Sequence, residues 1–389
     1  MGLRVGIEAT SMIGPRSGVG HTTASLVDAL VGADSGLDIV LLPVTARGAG
    51  NLRRDLAGLR PRVRVAPTRL PARAMTWVWS RGTWPPAELF CGSIDVFWAP
   101  NFLLPPLVKA AGVMTIHDLA FVRMPESCSA HVRKYANTVP RMAARANRII
   151  VPSRVVAEEL AEWLPAEAQR VHVVPWAVRR IFREQGGGLV APRREALGIR
   201  DPYAMFLGNL EERKNVDLLL QAFERVRSIH PAAQLVLVGS PGHGWDGIRA
   251  RRDAILSSDA VRVVGYLPDP EVAALVRGAR VFVYPSRYEG FGIPPLEAMA
   301  AGTPVVAAKT SALPETLGDH VRWVHPDDLD GLATAIADHF EGTPDQGWIE
   351  AARAWATSFT WGRAAAAHIE VFEQAVAEIG AEAGPGPVS

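Results

Sequence analysis

The sequence predicts an α/β protein made of two doubly wound parallel sheets. Short apolar runs alternate with helical patterns along the chain, which is typical of parallel sheets covered by helices. The alternation occurs twice, once in each half. With 389 residues, the chain is also too long for one ordinary core, so two domains of roughly 200 residues or fewer are expected.

Each predicted strand is a short apolar run bounded by polar or turn residues. In the first half the strands are Arg4–Glu8, Asp38–Leu42, Val63–Ala66, Asp95–Trp98, Val113–Ile116, Arg148–Val151 and Val171–Val174. In the second half they are Tyr203–Leu207, Gln234–Val238, Val261–Val264, Val281–Tyr284 and Val305–Ala307.

The helices follow from the 3.6-residue apolar period. Those predicted with definite bounds are His21–Val31, Arg154–Leu164 with Ser153 as its N-cap, and Val216–Ile229. A helical pattern also runs from Trp348 through Ile379.

The glycine-rich stretch from Gly186 to Pro192 is the expected linker between the domains. We therefore place a first Rossmann-like domain at 1–185, the linker at 186–192 and a second Rossmann-like domain at 193–360. A helix at 361–380 and a disordered tail at 381–389 are expected to follow.

Bulk composition excludes some functions. A net charge of +1 provides no field that would attract nucleic acid. The only cysteines, Cys91 and Cys128, have neither metal-binding nor disulfide-framework spacing and fit a reducing cytoplasm. No leader and no membrane-length apolar run is visible, so we expect a soluble cytoplasmic protein. Peripheral contact with the inner face of the membrane stays open, and the oligomeric state is not indicated.

The most informative segment contains Glu289 and Glu297, two carboxylates eight residues apart. Glu289 follows a predicted strand, and Glu297 is placed about one turn inside a helix that begins at Pro295. The open N–H groups of that helix, with the backbone exposed by Gly290 and Gly292, form a phosphate site. Because the carboxylates can accept hydrogen bonds from hydroxyls on either side, the segment suits a nucleoside diphosphate sugar.

The stretch from Ser286 to Val306 resembles the Glu-x7-Glu motif of retaining GT-B glycosyltransferases, in particular glycosyltransferase family four. The resemblance implies two facing Rossmann-like domains with a cleft between them. It implies an acceptor domain at 1–185, a nucleotide-sugar donor domain at 193–360 and a last helix that crosses back to the first domain. It also implies that Glu289 holds donor-sugar hydroxyls and Glu297 the ribose. The further donor-binding candidates here are Gly290, Phe291, Gly292 and Ile293.

A second motif runs from Gly208 to Asn215 after the first strand of the second domain. Asn215 is expected to cap the next helix, which places Arg213 and Lys214 where two cations suit a pyrophosphate. The motif resembles the family's Gly-Arg…Arg-Lys segment, in which Lys214 matches the lysine. Asn209 stands where the first arginine is usual, so Arg213 is the candidate to replace that charge. The alternative is a solvated turn without function.

The remaining candidates also follow predicted strands, at the sheet edge where parallel α/β proteins bind ligands. His117 ends a strand; alone it would be structural, but the resemblance implies contact with the donor sugar. Gly18 and Gly20 are typical of the start of a dinucleotide fingerprint, yet the third glycine is absent and no nicotinamide site is expected. The catalytic candidates are thus His117, Arg213, Lys214 and Glu289. The remaining donor-binding candidates are Gly18, Gly20, Gly208, Asn209, Gly239, Ser240, Tyr266 and Leu267.

Two features remain open to structural interpretations. Asp328 and Asp330 match an Asp-x-Asp metal motif, but they begin a predicted helix, so we interpret them as capping and predict neither metal nor other cofactor. Trp77, Trp79 and Trp84 occur with Arg69, Arg73 and Arg81. Such a cluster suits an anionic membrane surface or a sugar acceptor, or else its tryptophans are buried.

The resulting hypothesis is a retaining, metal-independent glycosyltransferase that uses a nucleotide sugar as co-substrate. The resemblance favours GDP-mannose over UDP- or dTDP-sugars, and the acceptor is a glycan, a lipid-linked glycan or a small metabolite. It implies front-face transfer, in which the departing phosphate takes the acceptor proton. The alternatives are a nucleotide-sugar epimerase of the same fold and a non-catalytic binding scaffold.

Overall fold

The computed structural model describes residues 2–14, 16, 18–33, 36–45, 50, 52, 63–67, 71–82, 84–184, 191–255, 257, 259–342 and 345–382. Most of the predicted linker (186–190) and tail (383–389) lies outside these residues. Two compact units are found. The first comprises Met1–Leu119, Lys134–Trp176 and Thr360–Ser389, and the second comprises Ala120–Arg133 and Ala177–Phe359.

The described strands number thirteen and lie in two sheets. They are β1 (Arg4–Glu8), β2 (Asp38–Leu42), β3 (Val63–Val65), β4 (Val96–Ala99), β5 (Ala111–Thr115), β6 (Arg148–Val151), β7 (Val171–Val173), β8 (Tyr203–Leu207), β9 (Gln234–Val238), β10 (Val261–Gly265), β11 (Val281–Tyr284), β12 (Val305–Ala308) and β13 (Arg322–Val324).

The described α-helices connect and flank these strands. They are α1 (Gly18–Gly32), α2 (Ala72–Arg81), α3 (Glu88–Cys91), α4 (Ala120–Arg123), α5 (Ala130–Arg133), α6 (Tyr135–Arg145), α7 (Arg154–Trp163), α8 (Arg180–Arg183), α9 (Ala191–Ala196), α10 (Val216–Ile229), α11 (Trp245–Ile255), α12 (Asp269–Gly278), α13 (Ile293–Ala300), α14 (Leu313–Leu317), α15 (Leu329–Glu341), α16 (Gln346–Thr357) and α17 (Trp361–Glu382). Short 3₁₀ helices lie at Thr10–Met12, Pro125–Ser127, Pro165–Arg170 and Glu212–Lys214.

The first unit contains a parallel sheet in the order β3-β2-β1-β4-β5-β6-β7. The strand order reverses between β1 and β4, which is where ligands bind in such sheets. Its core includes Trp98, whose indole N–H donates to Thr115 Oγ1 at 2.9 Å. The C-terminal helix α17 packs against β4, β5 and α1 and buries Phe372.

The second unit contains a parallel sheet in the order β10-β9-β8-β11-β12-β13. Here the reversal lies between β8 and β11, so the segments after these strands start side by side. The buried rings of Phe206, Phe223 and Phe282 contribute to its core. The prediction of two doubly wound, parallel-sheet domains is confirmed.

Three differences from the sequence prediction affect the site, the sheet or the domain bounds. Helix α13 begins at Ile293 instead of Pro295, because the first-turn N–H groups lack helical partners and both prolines fit there. Strand β13 was not predicted. Residues 120–133 and 177–184 group with the second unit, although the expected first domain, 1–185, includes them.

Candidate active site

The candidate site of the second unit is formed by the segments after β8 and β11. They are joined by a backbone hydrogen bond in which the Arg287 N–H donates to the Arg213 carbonyl oxygen at 2.9 Å. The segment after β9 approaches the first of them closely. A Cβ atom at Gly239 would lie 1.9 Å from the Gly208 carbonyl oxygen, so this position requires glycine.

Lys214 and Glu289 form a buried ion pair. The Lys214 ammonium donates to Glu289 Oε1 at 2.5 Å and to the Tyr284 hydroxyl at 2.9 Å. Both side chains are at most 10% exposed. The Glu289 backbone is fixed as well, since its N–H donates to Ser311 Oγ at 2.8 Å. The structure therefore brings together two of the predicted catalytic residues.

Arg213 completes this cluster from the next position along the chain. Its guanidinium donates to the Tyr288 carbonyl oxygen at 2.7 Å, and it lies 3.0 Å from Glu211 Oε1 and 3.5 Å from Glu289 Oε2. The four side chains Glu211, Arg213, Lys214 and Glu289 have formal charges that sum to zero. Arg213 and Lys214 are thus held by carboxylates, and the interpretation of a solvated turn is wrong.

Burial and charge set the ionisation of this cluster. Burial would raise the pKa of Glu289, but the charges of Lys214 and Arg213 outweigh it, so its pKa lies below the usual value. Burial lowers the pKa of Lys214, and Glu289 offsets part of this effect. Burial also raises the pKa of Tyr284, with the Glu289 charge acting in the same direction. Tyr284 therefore stays a neutral hydroxyl that can donate and accept.

Glu297 has a different partner, Arg179, which sequence reasoning missed. Arg179 Nε donates to Glu297 Oε1 at 2.6 Å, and its Nη2 donates to Oε2 at 2.9 Å. Arg179 also pairs with Asp269 at 2.8 Å. The Glu297 side chain is 1% exposed, and burial raises its pKa although Arg179 opposes the shift. Both carboxylate oxygens of Glu297 are thus occupied by one guanidinium.

The predicted caps Asp328, Asp330 and Asn215 have different outcomes. Asp328 is the N-cap of α15 and accepts from the Gly331 N–H at 2.8 Å, and Asp330 pairs with Arg225. Asn215 occupies the N-cap position of α10 with a φ of 57° but makes no side-chain cap bond. The expectation that its side chain caps the helix is wrong, because its Nδ2 donates to the Pro326 carbonyl oxygen instead.

The other donor-binding candidates of the second unit differ in burial. Asn209 and Ser240 are exposed, Ile293 is half-buried, and Tyr266 is 50% exposed, while Leu267 and Phe291 are buried. Gly290 is buried within the Glu289 loop. Gly292 has a φ of 99°, and a Cβ atom there would lie 2.4 Å from Leu313 Cδ2. Glycine at this N-cap position is therefore required by both backbone and space.

In the first unit, His117 follows β5 and lies beside the end of β4. Its Nε2 is 2.6 Å from the Pro100 carbonyl oxygen, and its ring lies 5.5 Å from that of Trp176. Because a carbonyl only accepts, Nε2 carries the proton. Burial lowers the pKa of His117, so the ring is neutral and Nδ1 is an acceptor.

Gly18 and Gly20 lie in the first turn of α1. A Cβ atom at Gly20 would stand 2.2 Å from the Ser11 carbonyl oxygen, whereas nothing lies within 4 Å of one at Gly18. Gly20 thus has a structural reason to be glycine in this close approach of two segments.

The tryptophan-rich segment contains both exposed and buried side chains. Trp79 is 1% exposed and its indole N–H donates to the Pro85 carbonyl oxygen at 2.9 Å. Trp77 is 60% and Trp84 71% exposed, and the Arg81 guanidinium lies 5.0 Å from the Trp77 ring centroid. Arg69 and the Arg73 side chain lie outside the described residues.

Two negative findings concern the described part of the chain. It contains no helix with the length and apolarity needed to cross a bilayer. It also contains no cluster of three or more His, Cys, Asp or Glu side chains arranged to hold a metal ion.

Comparisons with known proteins identify the family. Residues 17–177 match the model of the glycosyl transferase 4-like domain, and residues 192–355 match that of the glycosyl transferases group 1. The O-antigen chain mannosyltransferase B of Escherichia coli is 30% identical over 276 residues, which are 68% of this chain and 71% of that protein. The MMP alpha-(1->4)-mannosyltransferase of Mycolicibacterium hassiacum is 31% identical over 62% of this chain and 57% of its own length.

A solved structure shares the fold. HepE of Anabaena, crystallised with UDP-glucose, superposes with a TM-score of 0.69 at 16% identity over 97% of this chain and 99% of its own. The two parallel α/β units define the fold class, and the sequence matches identify the glycosyltransferase family. This chain belongs to the GT-B glycosyltransferases of family four.

Proposed function

We propose that this protein is a retaining, metal-independent glycosyltransferase that transfers mannose from GDP-mannose to a hydroxyl of a carbohydrate acceptor. The observation that carries the proposal is the buried cluster of Arg213, Lys214 and Glu289 after β8 and β11. Buried charges are expensive unless paired, and such a cluster at the ligand-binding edge of the sheet indicates a functional site.

The cluster suits the charge distribution of a nucleotide sugar. A pyrophosphate offers Arg213 and Lys214 the negative charge that Glu289 and Glu211 supply in this structure. The sugar hydroxyls can then donate to Glu289, which stays ionised because its pKa is lowered. One carboxylate therefore balances the cations and also binds the sugar.

The proposed reaction is transfer on the same face of the sugar. The bond between the anomeric carbon and the phosphate oxygen breaks, the acceptor oxygen bonds to that carbon, and the acceptor proton goes to the departing phosphate. Lys214 and Arg213 stabilise the charge that grows on the pyrophosphate. In the first unit, the neutral ring of His117 provides Nδ1 as an acceptor for a donor-sugar hydroxyl.

The donor and acceptor are inferred from the relatives. Both relatives reported above are named mannosyltransferases, one of O-antigen chains, which supports a mannosyl donor and a glycan acceptor. The exposed rings of Trp77 and Trp84 supply flat apolar faces suited to a sugar or to a lipid-linked acceptor.

Ligand binding and product analysis test the proposal. GDP should raise the melting temperature more than UDP or dTDP at equal concentration, since a ligand of the native state stabilises it. GDP-mannose with a panel of mannoside acceptors should give an α-linked product in the presence of EDTA. A β-linked product would contradict retention, and stabilisation by UDP or dTDP alone would contradict the donor. An epimerised nucleotide sugar formed without acceptor would favour the epimerase alternative.

A further inference from the structure

The segment that contains Arg179 packs within the second unit and brings the Arg179 guanidinium into contact with the Glu297 carboxylate. The chain reaches it after Ala177, and the short helix α8 that follows contacts both α13, which contains Glu297, and α12, which begins with Asp269. Arg179 is therefore held between the two acidic residues by elements of the same unit.

The position of this segment is fixed by further contacts. Phe182 is fully buried, and its ring centroid lies 4.8 Å from the Arg179 guanidinium carbon, a cation–π distance. Arg277 of α12 donates to the Ile181 carbonyl oxygen at 3.1 Å. The guanidinium has an anchored backbone on one side and Asp269 on the other, so its orientation toward Glu297 is defined.

The magnitude of the interaction indicates that this pair persists when a ligand binds. Leaving a buried charge without its partner costs more free energy than one hydrogen bond to a charged group contributes. A ribose hydroxyl is therefore a poor competitor for Arg179. The ribose hydroxyl must therefore donate to an acceptor position of the Glu297 carboxylate that Arg179 does not occupy.

The hydrogen bonds of Glu297 show which of its two oxygens has an acceptor position to spare. A carboxylate has about four acceptor positions on its two oxygens. Oε1 accepts from Arg179 Nε and, at 3.4 Å, from the Arg179 backbone N–H, whereas Oε2 accepts from Nη2. Oε2 is thus the oxygen with fewer donors in the described contacts.

We propose that Arg179 is a positioning residue for donor binding, which opposes protonation of Glu297 and directs Oε2 toward a ribose hydroxyl, with Asp269 holding the guanidinium in place. This inference rests on the proposed function, because it assumes that Glu297 binds the donor's ribose. It assigns the nucleotide site a residue from the segment between the two family-model matches, since Arg179 lies after residue 177 and before residue 192.

The pH dependence of nucleotide binding distinguishes positioning from mere structural support. Burial raises the pKa of Glu297, Arg179 lowers it and Asp269 raises it. Without the guanidinium the carboxyl stays protonated to higher pH, and a neutral acceptor binds hydroxyls less strongly than a charged one. Raising the pH should then restore the carboxylate and the affinity. Other ionisable residues on elements packed against α13 are Arg180 and Arg183 on α8, Tyr284 on β11, Glu315 on α14, and Glu350 and Arg353 on α16.

The experiment compares Arg179→Met with Arg180→Met by calorimetric titration from pH 5.5 to 8.5. The probe is whichever of GDP, UDP and dTDP stabilises the wild-type protein. Arg180 is a matched control because it is the adjacent arginine and its side chain is 89% exposed. Arg179→Met should weaken binding about tenfold at neutral pH, with recovery as the pH rises. Arg180→Met should bind like the wild type throughout.

Three further arms make the result decisive. Arg179→Lys keeps a cation and should restore most of the nucleotide affinity. Asp269→Asn should lower the nucleotide affinity severalfold, and it serves as the second variant if Arg179→Met does not fold. In Glu297→Gln, the added Arg179→Met change should produce no pH dependence. A loss of affinity that is equal at all pH values, or no loss, would overturn the inference. If the wild-type protein binds none of the three diphosphates, the proposed function fails instead.

Discussion

Glu289 and Glu297 are buried carboxylates of one loop–helix segment, but their pKa values are shifted in opposite directions. Burial raises the pKa in both cases. For Glu289 the two cations Lys214 and Arg213 outweigh burial, whereas for Glu297 the single cation Arg179 does not, and Asp269 shares that cation. The number of cations and the way they are shared therefore set the direction in which the pKa of each carboxyl is shifted.

This difference fits two separate roles of the carboxylates in donor binding. A carboxylate that is reliably charged beside two cations suits the reacting end of the donor, where negative charge moves during transfer. A carboxylate held by one guanidinium suits a hydroxyl at a part of the donor that does not react. The following changes test these two roles, from the largest expected effect to the smallest.

Lys214→Ala should give the largest effect, a loss of kcat of roughly a hundred- to thousandfold with a smaller rise in KM. The reason is that a group that stabilises charge growing on the pyrophosphate acts mainly in the transition state. Steady-state kinetics with the donor varied measures both parameters. Lys109→Ala is the control, because Lys109 is an exposed lysine of the first unit. A kcat within about threefold of the wild type would place the phosphate contact elsewhere.

Alanine substitution of each glutamate in turn should separate nucleotide binding from turnover. Glu297→Ala should weaken binding of the free nucleoside diphosphate by about 1.5–3 kcal/mol, which is a loss of affinity of roughly ten- to 150-fold. Glu289→Ala should preserve nucleotide affinity and lower kcat, since the sugar is absent from the free diphosphate. Titration calorimetry and kinetics on both variants check this. Equal loss of nucleotide affinity in the two variants would contradict the two separate roles.

The proximity of Lys214 and Glu289 could be predicted from the sequence. For Glu297, the sequence predicted the position on the helix but not its partner Arg179. Lys214 and Glu289 each follow an uninterrupted apolar strand, and the carboxyl ends of strands in a parallel sheet share one edge. Arg179 lies 118 residues from Glu297, in a segment without helical or strand periodicity. No local pattern indicates which side chain such a segment brings to a distant helix.

The same limit applies to the fold. Strands with continuous apolar runs, such as β8 and β9, were predicted with the bounds observed. Strand β13 has the sequence Arg-Trp-Val at the edge of its sheet, so pairing with β12 defines it more than composition does. The assignment of residues 120–133 to the second unit depends on packing alone.

The opposite pKa shifts predict opposite pH dependences of stability. The lowered pKa of Glu289 means that its contribution is present above about 4.5 and is lost as the pH falls through the folded-state pKa. The raised pKa of Glu297 means that its contribution is present below 4.5 and is lost as the pH rises through the folded-state pKa. These two trends can be measured independently.

Melting temperatures of Glu289→Gln and Glu297→Gln from about pH 3 to about pH 7 provide the measurement. The difference between wild type and Glu289→Gln should grow as the pH rises. The difference between wild type and Glu297→Gln should shrink over the same range. The change should be about 1.4 kcal/mol for each pH unit that separates the folded-state and unfolded-state pKa values. Trends of the same sign in both variants would show that the two carboxylates are not ionised as described.

The smallest effect is expected at Asp328, outside the comparison, where a cap and a metal ligand predict different results. Asp328→Ala removes the acceptor of the Gly331 N–H and should cost about 1 kcal/mol of stability, seen as a lower melting temperature. Activity should be unchanged by this substitution and by excess chelator. Asp327→Ala is the neighbouring control, because its exposed side chain pairs only with Arg287 in the described contacts and should change stability less. Activity that disappears with chelator and returns with magnesium or manganese would identify Asp328 and Asp330 as candidate ligands instead of a cap and a surface ion pair.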